Sequence, residues 1–239
     1  MSMVGRTVQS FLDTTGSTVI FLGENLKLLF KGKLNRTLVA EQIWKVTVQS
    51  SPTTALAGFF VGAIMAVQFT LQVKEFGALG YLGGLSTSGT FREVGPLLIA
   101  FMLSGKVGAF TAAELGTMRV TEQIDAIRCL GANPLQEIIL PRFIGILVAS
   151  FFLLAMGLVM SVAGGVLVGI VFSGISPEEY VRHIPTILAW PSIVGGLFKC
   201  LVFAILLGTI CTYNGYFATG GAKGVGKAVV KTSVATMVG

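Results

Sequence analysis

The sequence predicts an all-α integral membrane protein with an interfacial N-terminal helix, about five transmembrane helices and a charged helix on the cytoplasmic side. Hydrophobic residues make up 53% of the 239 residues, and the mean hydropathy is +0.83, above the usual range for soluble domains. Several apolar windows can cross the ~30 Å of hydrocarbon in a bilayer, which takes roughly 20 helical residues. Strand-like alternation is absent, and Gly and Ala recur within the apolar runs, as is typical of closely packed membrane helices.

Residues 1–50 are predicted to form an amphipathic helical region that lies in the membrane interface. Apolar residues recur there at near-helical spacing, and basic residues cluster at one end. An ordinary first transmembrane helix is less favoured, because charges interrupt every window that is long enough to span. The apolar positions are Phe11, Val19, Ile20, Leu22, Leu26, Leu29 and Phe30, and the basic ones are Lys27, Lys31, Lys33 and Arg36.

Residues 51–239 are predicted to form the transmembrane domain. Four spans are expected at residues 54–73, 94–113, 143–172 and 192–213, and a fifth begins near Ala228 and is expected to be cut short at Gly239. A Gly-rich connection at 76–89 and a polar connector at 173–191 separate them. Glycines that should allow close helix packing are Gly62, Gly105, Gly108, Gly164, Gly165, Gly195 and Gly196.

The distribution of Lys and Arg predicts the orientation. The N-terminal segment holds six of them, whereas the segment between the second and third spans and the 214–231 loop hold three each. The opposite connectors hold only Lys74, with Arg92 near it, and Arg182. Because basic residues concentrate on the cytoplasmic side, the N-terminus is predicted to lie in the cytoplasm.

A polar segment at residues 114–142 joins the second and third spans. Within it, residues 116–130 are predicted to form one short amphipathic helix, which Gly131 and Pro134 terminate. A solvated helix without a partner and a contact surface for a soluble protein are equally compatible with this pattern. The charged residues of the segment are Glu114, Arg119, Glu122, Asp125, Arg128, Glu137 and Arg142.

Three further charged residues lie at or within predicted spans. Arg92 and Glu93 open the second span, and Lys199 lies about two turns into the fourth. Ionisable groups at membrane depth are costly and usually face a cavity or one another. Snorkelling to the interface is the alternative for Arg92, whereas Glu93 is expected to pair with Arg92 or Lys199.

Motifs for covalent chemistry are missing from the sequence. There is no G-x-x-x-x-G-K-[ST] nucleotide-binding motif and no Ser/His/Asp or Cys/His grouping. The three cysteines have no paired spacing, and His183, the only histidine, is expected at the surface. The net charge of +6 is explained by cytoplasmic basic residues rather than by nucleic-acid binding. The sequence therefore predicts neither catalysis nor a metal site.

Short motifs follow one another in a fixed order along the chain. They are Arg92-Glu93-Val-Gly-Pro, Gly105-Lys-Val-Gly108, the run from Ala113 to Gln123, Asn133-Pro134, Pro141-Arg142, Lys199 and Asn214-Gly215-Tyr216. This series resembles the MlaE (YrbE) permease family, the membrane subunits of MCE-associated ABC transporters that move lipids between membranes. The resemblance covers most of the chain, although Lys106 stands where the family often has Arg.

The resemblance implies a homodimeric phospholipid permease in the inner membrane, which moves lipid between the inner and outer membranes. The implied partners are a second copy of the chain, a cytoplasmic ABC ATPase, a periplasmic MCE-domain ring protein and a small STAS-domain protein, with no nucleic acid. This chain would hold no cofactor, since ATP and Mg would be bound by the ATPase.

The resemblance also assigns roles to particular residues. The helix at 116–130 would be the coupling helix that docks on the ATPase, and its contact or bracing residues would be Glu114, Arg119, Glu122 and Gln123. For Arg119 and Glu122 the alternative is a surface i,i+3 ion pair. Residues lining or bracing the lipid cavity would be Arg92, Glu93 and Lys199, and the Lys199 cation would meet a lipid phosphate.

Two other functions remain open at this point. A secondary transporter would need embedded carboxylates or inverted repeats, but Glu93 is the only clear embedded carboxylate and no internal repeat is visible. A non-transporting membrane scaffold would use the polar segment only to tether a soluble protein.

Overall fold

The computed structural model describes residues 3–31 and 34–238, with side chains for residues 15–29 and 34–237, and this described part contains helices but no strand. The α-helices are α1 Met3–Lys31, α2 Arg36–Lys74, α3 Leu82–Gly89, α4 Gly95–Leu103, α5 Ala109–Val120, α6 Gln123–Cys129, α7 Leu140–Ser173, α8 Pro177–Arg182, α9 Ile184–Ile187, α10 Trp190–Tyr216 and α11 Gly221–Val238. A 3₁₀ turn at Leu79–Tyr81 and π-helical stretches at Thr90–Val94, Ser104–Gly108 and Leu135–Ile139 continue neighbouring α-helices.

Within the described residues, four helical segments are long and apolar enough to cross a membrane. They are Arg36–Lys74, Leu79–Val120, Leu135–Ser173 and Trp190–Tyr216. The predicted class, an all-α membrane protein, is therefore confirmed. The predicted fifth span corresponds to α11, which is helical but is not among these four, and Gly239 lies outside the described residues.

Helix α2 is longer than the span predicted within it and passes through Pro52 without a break. Proline has no N–H to donate to the carbonyl of the residue four positions earlier, here Val48. The hydroxyl of Ser51 donates to that carbonyl at 3.1 Å instead, which is how Ser and Thr side chains make proline tolerable in membrane helices. The predicted boundary between residues 50 and 51 thus falls inside a helix.

The Gly-rich connection predicted at 76–89 is mostly helical, because α3 occupies Leu82–Gly89. Glycine has a low intrinsic helix propensity, but here it permits close packing. A Cβ on Gly83 would overlap the carbonyl of Tyr180, and one on Gly84 would lie 2.7 Å from the carbonyl of His183. Packing of α8 and α9 against this helix therefore outweighs the local preference for a loop.

Over the described residues the chain forms two compact units, whose limits fall inside long helices. The first unit comprises Met1–Trp44, Ser104–Leu147 and Ile205–Gly239, and the second comprises Lys45–Leu103 and Val148–Ala204.

Glycines bring α2 and α7 together inside the second unit. Gly62 of α2 faces the backbone of Ser161, and Gly164 of α7 faces the backbone of Phe59, so that a Cβ at either glycine would overlap a carbonyl. The predicted close packing is confirmed at these two positions. It is wrong for Gly195, where a Cβ would meet no atom within 4 Å.

Helix α1 belongs to the first unit and agrees with the helical spacing seen in the sequence. Phe21 is buried and packs against Tyr213, with ring centroids 5.6 Å apart, whereas Val19 and Ile20 are exposed. Its position in the membrane interface stays a prediction. Lys33 and the side chains of Phe11, Phe30 and Lys31 lie outside the described residues.

Candidate functional site

The polar segment forms two helices joined by a tight turn, which we call the elbow (residues 119–129). Helix α5 ends at Val120, and α6 begins at Gln123. Glu122, between them, adopts a left-handed backbone conformation with φ of 59°, which is uncommon for a residue other than glycine. The prediction of one continuous helix over residues 116–130 is therefore wrong.

An apolar cluster explains why the chain turns here. Leu115 and Ile124 are both fully buried in the same cluster. In a continuous α-helix of 3.6 residues per turn, positions nine residues apart point in directions about 180° apart. Burial of both side chains in one cluster therefore requires a break between them. The remaining buried members are Phe21, Ile138, Ile139 and Tyr216.

Asp125 is the centre of the charged network that closes the elbow. Arg119 Nη1 donates to both Asp125 carboxylate oxygens at 2.7 and 2.8 Å, and Arg128 Nη1 lies 3.3 Å from Oδ1. Arg128 Nη2 also donates to the hydroxyl of Tyr216 at 2.5 Å. Asp125 thus holds α5 and α6 together and is linked through Arg128 to the end of α10.

The structure separates the residues predicted for contact with an ATPase into two groups. Glu122 and Gln123 are exposed at the tip of the elbow. Arg119 is engaged with Asp125, and the Arg119–Glu122 ion pair considered as an alternative is not among the ion pairs of the described residues. Sequence reasoning missed Asp125, since positions 119 and 125 meet only after the chain has turned.

Glu114 takes part in a second brace of the first unit. Its carboxylate lies 3.3 Å from Nη2 of Arg142, which is in the first turn of α7 and whose side chain is 11% exposed. Arg142 Nη1 also donates to the carbonyl of Ile138 at 3.1 Å. The geometry of Glu114 thus favours the bracing role over direct contact with a partner.

The three charged residues predicted within the spans meet in the second unit, and we call them the charge triad (Arg92, Glu93 and Lys199). Lys199 Nζ donates to Glu93 Oε2 at 2.7 Å and to the carbonyl of Arg92 at 3.1 Å. Arg92 Nε lies 3.6 Å from Glu93 Oε1. The structure therefore shows the predicted pairing of Glu93, which contacts both Arg92 and Lys199.

Two local features position the charge triad. Arg92 and Glu93 lie on the π-helical stretch Thr90–Val94, a type of helix distortion that is frequent at functional sites. Gly196 lets α10 approach this stretch, since a Cβ there would lie 2.5 Å from the carbonyl of Phe91. Lys199, one turn further along α10, is thereby within reach of Glu93.

The composition of the charge triad is suited to an anion. Two cations against one carboxylate leave an excess positive charge, and all three side chains are at least 40% exposed in the single chain. An ammonium or guanidinium group that retains accessible N–H groups forms charge-assisted hydrogen bonds to phosphate. In contrast, the described residues contain no group of three His, Cys, Asp or Glu side chains that could hold a metal ion.

Tyr180 anchors the polar connector of the second unit and was not identified from the sequence. Its ring lies against Gly165 and Gly169, and its hydroxyl is 2.6 Å from the hydroxyl of Ser86. Burial raises the pKa of Tyr180 above its usual value, so the phenol remains neutral at physiological pH.

Replacing Tyr180 by Phe should destabilise the protein by about 1 kcal/mol, because the Ser86 hydroxyl loses a buried hydrogen-bond partner. Thermal unfolding in detergent measures this change. Tyr81→Phe is a matched control, as Tyr81 is 52% exposed and the described part of the chain shows no hydrogen bond from its hydroxyl. Equal stability of the two variants would contradict the prediction.

Comparison with known proteins shows similarity along nearly the whole chain. Residues 39–239 match the protein family described as "Permease MlaE". A "Probable ABC transporter permease protein" of Rickettsia conorii is 32% identical over 239 residues, which cover 98% of this chain and 92% of the relative. The chloroplastic protein TRIGALACTOSYLDIACYLGLYCEROL 1 of Arabidopsis thaliana is 31% identical over 223 residues, 93% of this chain and 64% of the relative.

A third relative is the "Intermembrane phospholipid transport system permease protein MlaE" of Haemophilus influenzae. It is 28% identical over 237 residues, which cover 98% of this chain and 90% of the relative. The residues matched by the family include the elbow and the charge triad.

Proposed function

Because this chain belongs to the MlaE permease family, we propose that it is the membrane permease of an ABC-type transporter that moves phospholipid between an inner and an outer membrane. The family match over residues 39–239 carries this proposal, and the name of the Haemophilus influenzae relative supports phospholipid as the cargo. The chain itself catalyses no reaction in this scheme.

The elbow is the coupling surface for a cytoplasmic ATPase, which binds ATP and Mg²⁺ and hydrolyses the ATP. Glu122 and Gln123 are exposed at its tip, whereas Asp125 accepts a hydrogen bond from Arg119 and stabilises the turn. The excess of Lys and Arg in the N-terminal segment supports a cytoplasmic location for that segment. The two membrane-spanning segments that follow it would return the chain to the same side at the elbow. Movement of the docked ATPase would reach α10 through the contact between Arg128 and Tyr216.

The charge triad contributes to a lipid cavity that two copies of the chain form. Lys199 binds the lipid phosphate, and Glu93 holds the ammonium group in place through their 2.7 Å contact. A periplasmic MCE-domain ring protein receives the lipid, and a small STAS-domain protein binds on the cytoplasmic side. These partner assignments follow from the resemblance to the family.

Native mass spectrometry of the complex extracted from membranes tests this function directly. We expect two copies of the chain, two copies of an ATPase subunit and retained phospholipid. A complex that lacks an ATPase would contradict the ABC mechanism. Lipid movement driven by an ion gradient without ATP would favour a secondary transporter, and a complex without lipid or transfer activity would favour a scaffold.

Lys199→Gln is expected to lower ATP-dependent lipid transfer between vesicles about tenfold, because a charge-assisted hydrogen bond to phosphate contributes roughly 1.5–3 kcal/mol. Lys199→Arg keeps the positive charge and should retain most of the activity. Lys74→Gln, at another exposed lysine of the second unit, is the control. If Lys199→Gln and Lys74→Gln transfer lipid equally well, Lys199 does not bind the cargo.

A further inference from the structure

Helix α11 carries a row of lysines that the proposed function does not use. Lys223, Lys227 and Lys231 follow at intervals of four residues, so they share one face of the helix, and all three are exposed. A second row, about 100° around the helix from the lysines, consists of small residues that are buried, namely Gly224, Ala228 and Thr232. We call the exposed row the lysine face.

Contacts within the first unit fix the direction in which the lysine face points. α11 packs along α5, with Thr236 hydrogen-bonded to Ser104 at one end. At the other end, a Cβ on Gly116 would lie 3.2 Å from Val225. The two helices are therefore antiparallel and in a defined register, and α11 cannot rotate its lysines toward the protein without losing these contacts.

Among the residues whose side chains the structure describes, no carboxylate compensates the positive charge of the lysine face. The sequence contains no Asp or Glu after Glu179. None of the three lysines forms an ion pair with any residue for which the structure describes a side chain. Like charges four residues apart on a helix repel one another, so an anion supplied from outside the chain would relieve this repulsion.

Polarity changes along the exposed surface of α11. The lysines lie in its first half, near the end of α5 that leads into the elbow, where Gly116 meets Val225. Beyond the lysines, the exposed residues of α11 become apolar, with Val234 and Met237. A basic row followed by an apolar end is the arrangement in which lysines extend from a membrane-embedded helix to the headgroup layer.

We propose that the lysine face is a binding site for anionic phospholipid headgroups of the surrounding leaflet. The three ammonium groups extend over about 12 Å of helix, at 1.5 Å per residue, which is enough to contact more than one phosphate. Ammonium groups on flexible stems suit this role, because they can follow mobile headgroups while their methylene groups remain in the apolar layer. The site shares no residue with the charge triad and requires only that the chain lies in a membrane.

Lipid titration monitored by native mass spectrometry tests the proposal on the full chain with its co-purifying partners. Phosphatidylglycerol and phosphatidylcholine with identical acyl chains serve as probes. The test variant combines Lys223→Gln, Lys227→Gln and Lys231→Gln, and a second variant replaces the same residues by Arg. Since each basic residue near an anionic surface contributes about fivefold in affinity, the Gln variant should lose at least tenfold in preference for phosphatidylglycerol. The Arg variant should keep it.

The outcomes distinguish lipid binding at the lysine face from lipid binding at the charge triad and from binding of a protein partner. Lys74→Gln, which removes an exposed lysine outside both sites, should leave the phosphatidylglycerol preference intact. Because the lysine face and the charge triad share no residue, the losses caused by the triple Gln variant and by Lys199→Gln should add. A Gln variant that keeps the preference overturns the proposal. So does a Gln variant that binds lipid normally but loses a protein partner, because the face would then recognise an acidic protein. The three single Gln variants, each expected to lose about fivefold, decide the matter if the triple variant does not fold.

Discussion

Gly62→Ala is expected to destabilise the second unit by about 3 kcal/mol or more, because the new methyl group would overlap the carbonyl of Ser161. Inserting a methylene into a packed interior usually costs about 1–3 kcal/mol. Here the obstacle is the backbone of α7, which cannot rotate away as a side chain can. We expect a lower thermal unfolding temperature and a smaller monodisperse fraction in detergent.

Gly195→Ala is the matched control, since it makes the same chemical change in another helix of the same unit. A Cβ at Gly195 meets no atom within 4 Å, and Ala is favoured over Gly in a helix interior by roughly 1 kcal/mol. This variant should therefore be as stable as the unmodified protein or slightly more so. Destabilisation of both variants to the same extent would show that the α2–α7 contact is not the cause.

Asp125→Asn should uncouple the permease from its ATPase while leaving the fold intact. The neutral amide keeps the shape of the side chain but loses the ion pairs with Arg119 and Arg128. All three side chains are one third to one half exposed, so stability should fall by only about 1 kcal/mol. Coupling between sites typically involves 1–3 kcal/mol, and we therefore expect lipid transfer per ATP hydrolysed to fall about tenfold.

Glu137→Gln controls for the removal of a carboxylate from the same polar segment. Glu137 is exposed and forms no ion pair with the residues whose side chains are described. Its variant should couple ATP hydrolysis to lipid transfer normally. If Asp125→Asn also behaves normally, the Asp125 network stabilises the elbow without taking part in transmission.

The predicted pairing of Glu93 with Arg92 or Lys199 shows where sequence reasoning succeeds. Opposite charges in apolar segments have few ways to offset the cost of leaving water, so the residue types in these segments indicate that Glu93 is paired. The elbow shows where such reasoning fails. Residues 116–130 have the local pattern of one helix, but burial of Leu115 and Ile124 in one cluster requires a turn.

Glycines illustrate the same limit, because a glycine has no side chain whose chemistry indicates its surroundings. Gly62 and Gly195 both lie in apolar helical segments, yet only Gly62 contacts another backbone. Tyr180 was likewise indistinguishable from an ordinary loop tyrosine until its contacts with Ser86 and Gly165 were seen.

Composition and local pattern were sufficient for the membrane class, the approximate location of the spans and the identity of the charges at membrane depth. These properties depend on the transfer of single segments from water to hydrocarbon, which each segment's own residues control. The turn at Glu122, the central position of Asp125 and the direction of the lysine face depend on tertiary structure. They arise from contacts between residues distant in sequence, and only the packed helices bring those residues together.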